Sequence, residues 1–222
     1  MSDIKCSSCG GELKKEGNVF ICQKCGEVFK NEETAAKGNA TVRTGAAKIK
    51  QNFSEEELKR INNLYTVARR AKENGDNEQA EKYYDMVLAE DPNSWEAAYF
   101  TTYFNVAQTK IGNISSAALK LSNCLDNIFN LIDKYEDSEN EGKAISTVFV
   151  NTRHLASLLS SSAKNHYLRF KDTGNSGGEY AEQCINIHIL LYNLGNLIEK
   201  HYTDIPVAKN MCVIAWEEAV EV

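Results

Sequence analysis

From residue 54 onward, apolar residues recur every three or four positions, the period of an α-helix with one buried face. Ser54-x-x-Glu57 has capping-box spacing, and Leu58, Ile61, Leu64/Tyr65 and Ala68 then fall on one face of a helix that Gly75 ends. A second helix is expected over Asn77 to Glu90, with Ala80, Tyr83/Tyr84 and Val87/Leu88 facing inward and "EDPNS" closing it. Another begins at Trp95. After "IGN", the seam Ile114, Ala117, Leu121, Cys124, Ile128, Leu131 and Tyr135 predicts a helix of about 23 residues, roughly 35 Å long. Ile145, Val148, Thr152, Leu155 and Leu159 start a further stripe that continues through Ala163 to Tyr167 and Phe170. Beyond the turn "DTGNSGG", Tyr180, Cys184, Ile187, Leu191, Leu194 and Ile198 form the next. Pro206 suits the first turn of a last helix carrying Val213, Ile214 and Trp216. The sum is about seven helices.

The pattern before residue 53 differs. Residues 31–52, "NEETAAKGNATVRTGAAKIKQN", lack large apolar side chains and contain Gly38 and Gly45, so a flexible linker is expected. Ahead of it, Cys6-x-x-Cys9 and Cys22-x-x-Cys25 are separated by twelve residues. Two residues between thiolates let a tight turn aim both sulfurs at one ion, and two such turns complete a tetrahedron. Gly10 and Gly26 directly follow the second cysteine of each pair, where a knuckle turn favours glycine, and "NVFIC" between the pairs reads as a strand. Four thiolates close the shell of a divalent ion and leave no open position for catalysis, so the expected metal is structural zinc. An iron centre would use the same four sulfurs. A dithiol redox pair would need one C-x-x-C beside a βαβ unit, which the sequence lacks.

Residues 4–30 resemble the zinc ribbon family, although Ser7-Ser8 stands where many ribbons carry a proline. The resemblance implies a small β module, here residues 1–30, whose folding depends on zinc bound by Cys6, Cys9, Cys22 and Cys25. The stretch "LYTVARRAKENGDNEQAEKYYDMVLAEDPNSWEAAYF" resembles the tetratricopeptide repeat: Ala68, Gly75, Ala80, Tyr84 and Pro92 fall at the offsets of that 34-residue unit. A second unit starts at Trp95, but its next helix lacks the pattern and no third unit is visible. The expected fold is therefore all-α over residues 53–222, with tetratricopeptide-like helix pairs continuing into a long-helix bundle, preceded by a small β zinc ribbon. The repeat resemblance further implies a concave surface lined by first helices. It would turn Asn62, Tyr65, Arg69, Lys72, Tyr99 and Tyr103 toward a peptide, with Arg69 and Lys72 meeting an acidic segment. The competing reading of Tyr99, Phe100, Tyr103 and Phe104 is core packing.

Charge and composition narrow the functional classes. Of the net charge of −6, residues 1–52 contribute +3 from nine Lys or Arg and six Asp or Glu, which leaves −9 for the helices. A domain of that sign repels nucleic acid and anionic membrane. Nucleic-acid binding, the alternative function, would run through Lys14, Lys15, Lys24, Arg43, Lys48 and Lys50 of the ribbon and linker. Seven cysteines, an odd number, with Cys124, Cys184 and Cys212 scattered singly, suit a reducing compartment, where those three serve as small core residues. The opening "MSDIKCSSCG" lacks a secretory pattern, and "CINIHILLYNLGNLI" is too short and polar to cross a bilayer, so a cytoplasmic location is expected. No P-loop, G-x-G-x-x-G, G-x-S-x-G or H-E-x-x-H is present. His188 lies four residues after Cys184, but as the edge of an apolar stripe rather than a second metal site. The function expected is a non-enzymatic adapter for protein or peptide partners.

Overall fold

The computed structural model describes residues 13–16, 19–22, 28–30, 53–172, 174, 176–202 and 205–222. Three short strands, β1 (Leu13–Glu16), β2 (Val19–Cys22) and β3 (Val28–Lys30), pair antiparallel in sequence order. Leu13 stands opposite Cys22 and Ile21 opposite Val28. Cys6, Cys9 and Cys25 lie outside the described residues, as does the expected linker at 31–52.

From residue 53 the described chain is helical: α1 (Glu55–Glu73), α2 (Asn77–Glu90), α3 (Trp95–Ala107), a 3₁₀ turn at Ile111–Asn113, α4 (Ile114–Tyr135), α5 (Ser138–Phe170), α6 (Ser176–Tyr202) and α7 (Pro206–Glu221). Local chemistry sets the boundaries. The Ser54 hydroxyl accepts the Glu57 N–H while the Glu57 carboxylate accepts the Ser54 N–H at 2.8 Å, completing the expected capping box. Gly75 turns between α1 and α2 at φ 73°, a conformation costly for any residue with a Cβ. Pro206 opens α7, where its missing N–H costs no helical hydrogen bond.

Cross-helix pairs give the directions. Tyr65 with Ser94, Arg69 with Glu96 and Lys72 with Phe100 advance together, so α1 and α3 run parallel in one layer. Tyr99 on α3 reaches Val148 and Thr152 on α5, which continues that layer. In the other layer α4 and α6 also run parallel. Ser115 pairs with Glu182, Ser122 with Asn193 and Asp126 with Lys200, a set of polar contacts at matched heights. The alternation of α1/α2, α3/α4 and α5/α6 between two layers thus persists beyond the stretch where a repeat is visible in the sequence. The third pair uses helices of 33 and 27 residues.

Several expected core positions lie elsewhere. Leu58 is 45% exposed, Val213 48% and Phe170 46%. In α7 the buried face is Ala208, Met211, Cys212, Ala215 and Ala219, one step out of phase with Val213. This face of small side chains lets α7 lie close to α6. On α6, Gly195 is buried beneath the Trp216 indole, whose N–H donates to Asn196 Oδ1 at 3.0 Å. Of the lone cysteines, Cys212 is buried as expected, while Cys124 and Cys184 are only partly covered. Among the described residues no helix is long and apolar enough to cross a membrane.

A Cβ added at residue 195 would lie 2.7 Å from Trp216 Cδ1, so Gly195→Ala must push the indole away. The expected loss is about 1–3 kcal/mol of unfolding free energy by urea titration, the usual cost of overpacking. A double-mutant cycle with Trp216→Ala should show strong coupling; additive effects would contradict this contact.

Candidate functional site

The layer formed by α1, α3 and α5 carries two neighbouring clefts. One encloses about 480 Å³ between Arg69 and Lys72 of α1, Trp95 and Phe100 of α3, and Lys143 of α5. The other, about 250 Å³, extends along α1 past Asn62 and Tyr65 toward Asn93 and Tyr135. Arg69, Trp95, Glu96 and Glu136 border both. α3 contributes the buried Phe100 to the larger cleft, and α1 and α5 contribute its lysines.

Glu96 organises this region. It sits in the first turn of α3, where the helix dipole favours a carboxylate. Its side chain is only 16% exposed, and it accepts two hydrogen bonds from Arg69, Nε at 2.9 Å and Nη2 at 2.6 Å, plus the Tyr84 hydroxyl at 3.1 Å. Such a fork fixes the guanidinium in a plane, here 4.6 Å from the Tyr65 ring centroid. The hydrogen bond to Glu96 raises the Arg69 pKa further above its already high value. Arg69 is therefore tied to Glu96 within the chain while its side chain stays half exposed, so the role expected for it is shared with holding α1 to α3. Trp95 is held the same way, its indole N–H donating to Glu136 Oε2 at 2.5 Å.

Lys72 differs. Its ammonium lies 4.0 Å from the Phe100 ring centroid and makes no ion pair among the described residues. Burial lowers its pKa, against a weaker opposing pull from Glu96.

Of the six expected partner-facing residues, the structure brings four to the clefts: Asn62, Tyr65, Arg69 and Lys72. Tyr99 is a correction. It is fully buried, its hydroxyl 3.0 Å from Thr152 Oγ1, because it points across α3 toward α5 and away from the concave face. Tyr103 lines neither cleft and packs half-buried against Phe100 and Phe104, so core packing accounts for the aromatic band. Glu96, Glu136 and Lys143 were not anticipated. The first-turn placement of Glu96 offered a signal, whereas Lys143 offered none, since α5 lies beside α1 only through tertiary packing.

The histidines are integrated into the helices. His188 Nδ1 lies 2.8 Å from the Ala219 carbonyl, and His201 Nδ1 lies 2.6 Å from Asp133 Oδ2. Among the described residues no group of three or more His, Cys, Asp or Glu could hold a metal. Of the six ribbon and linker cations, only the Lys14 side chain is described, and it is exposed. Comparison with protein-family models, with curated proteins and with solved structures finds no match to this chain.

The buried tyrosines couple this region to pH. Desolvation pushes Tyr65 from the usual value near 10 to about 12, and raises Tyr84 and Tyr99 well above the usual value too. A folded pKa above the unfolded one means a contribution present below pH 10 and lost as pH rises through the folded values. Stability should accordingly be flat up to about pH 9 and fall steeply above pH 10. The share of the phenolate absorbance that belongs to these buried rings should appear only together with the loss of helical circular dichroism. Full phenolate formation with the helices intact would contradict the burial of these rings.

Proposed function

We propose that this chain is a non-enzymatic cytoplasmic adapter that holds an extended protein segment along the concave layer of α1, α3 and α5. The observation that carries this reading is the run of two adjoining clefts along that layer, flanked by Asn62 and Tyr65 at one end and by Lys72 and Lys143 at the other. Adjoining clefts lined by both aromatic and polar side chains suit a peptide better than a flat surface does. The parallel placement of α1, α3 and α5 supports the resemblance to tetratricopeptide-like repeats, whose stacked first helices form such a layer.

In the same reading the amino-terminal module is a zinc ribbon, with Cys6, Cys9, Cys22 and Cys25 as four thiolate ligands. Strand register supports it. Leu13 opposite Cys22 means that the chain enters β1 and leaves β2 at the same end of the sheet, the end toward which both C-x-x-C pairs are tethered. The metal supplies folding energy that a module of this size does not obtain from apolar burial.

Two measurements on the full chain test these readings. Elemental analysis should find one zinc per chain, lost in Cys22→Ser; a fully loaded Cys22→Ser variant would overturn the ribbon. An array of short peptides of mixed composition should yield a bound subset in the micromolar range. Asn62→Arg, which places a bulky cation in the smaller cleft, should weaken those hits about tenfold or more. A blank array, or hits indifferent to Asn62→Arg, would overturn the adapter.

A further inference from the structure

Lys72 is a cation that the fold neither fully exposes nor pairs. Glu96, the carboxylate beside it, already accepts two hydrogen bonds from Arg69. The Lys72 amine instead lies half-buried, 4.0 Å from the Phe100 ring centroid, with no ion pair among the described residues. A fully hydrated ammonium keeps its proton at neutral pH and is inert as a nucleophile. Seating the group on an apolar ring, with no counter-ion in contact, favours the neutral amine and leaves its lone pair free to react. The same side chain lines the open cleft of about 480 Å³, which also includes Trp95 and Thr147 and has room for a small molecule.

We propose that Lys72 is an acylation site, a nucleophilic amine that takes the acyl group of a small acyl phosphate entering the cleft. The neutral Nζ attacks the acyl carbon, the bond from that carbon to the phosphate oxygen breaks, and phosphate leaves. The nitrogen passes one proton to water. An amide C–N bond thus replaces an acyl C–O bond with no change in oxidation state, so no oxidant or reductant is required. The product suits its surroundings better than the ammonium does, because a neutral amide beside Phe100 and Trp95 needs no counter-ion. Acylation also removes a positive charge from the cleft. This chemistry requires only the amine and its access to solvent, and it holds whether or not a peptide docks along the layer.

The test incubates the folded full chain with acetyl phosphate and follows the initial rate at each lysine by site-resolved mass spectrometry. At pH 7.5 Lys72 should acetylate about threefold or more faster than Lys59 and Lys134, both of which are exposed. That lead should shrink as pH rises toward about 10, where hydrated amines also lose their protons. It should disappear in concentrated guanidinium chloride, where Phe100 no longer covers the amine. A Lys72 rate no faster than those of Lys59 and Lys134 at pH 7.5 overturns the proposal. So does a lead that survives unfolding, which would trace it to local sequence, or one that grows with pH, which would trace it to something other than a readily lost proton.

Discussion

Tyr99, Phe100 and Phe104 are each at most 3% exposed although they project from neighbouring faces of a helix only 13 residues long. A helix with so little polar face is stable in water only when other elements cover it from several sides. Tyr84 of α2 stacks on Phe100 and Phe104 with ring centroids at 5.1 and 6.2 Å, and α5 receives Tyr99. Covering α3 from these sides builds much of the core beside the two clefts.

A helix covered on these sides has its first turn inward too, and with it Glu96. A carboxylate so little exposed is costly unless paired and hydrogen-bonded. The bidentate contact with Arg69 and the Tyr84 hydroxyl meet that requirement, and together they tie all three of the first helices to one point. Further along, register is held by neutral and charged polar pairs between α4 and α6, each at its own height. Sliding one helix past the other by a turn would strand Ser122 and Asn193 without partners. Apolar seams hold the layers together, and these pairs select one alignment.

What could be read in the sequence follows from how local its cause is. The capping box at Ser54, the turn at Gly75, the entry of α7 at Pro206 and the seams of α4 and α6 rest on spacings within a few residues, and they stand where the spacings put them. The phase of α7 is hard to read because its inner face is built mostly of Ala and Cys, residues with little apolar contrast. Tyr99 was misplaced for a related reason: on a helix apolar nearly all round, no pattern distinguishes the face toward a partner from the face toward α5. The third helix pair was invisible as a repeat because α5 and α6 are 33 and 27 residues long, far outside the usual unit.

Arg69 and Lys72 were expected to act alike, being three residues apart on one helix face, and the structure separates them. Arg69 lies level with Glu96 and has a planar fork that fits a carboxylate, so its charge serves the union of α1 and α3. Lys72 lies one turn further on, level with Phe100, where α3 offers an aromatic face and no carboxylate. A ring face compensates an ammonium only partly, which is why burial still lowers the Lys72 pKa. Replacing Arg69 therefore loosens the union of α1 and α3, whereas neither Lys72 nor Lys143 makes an ion pair among the described residues.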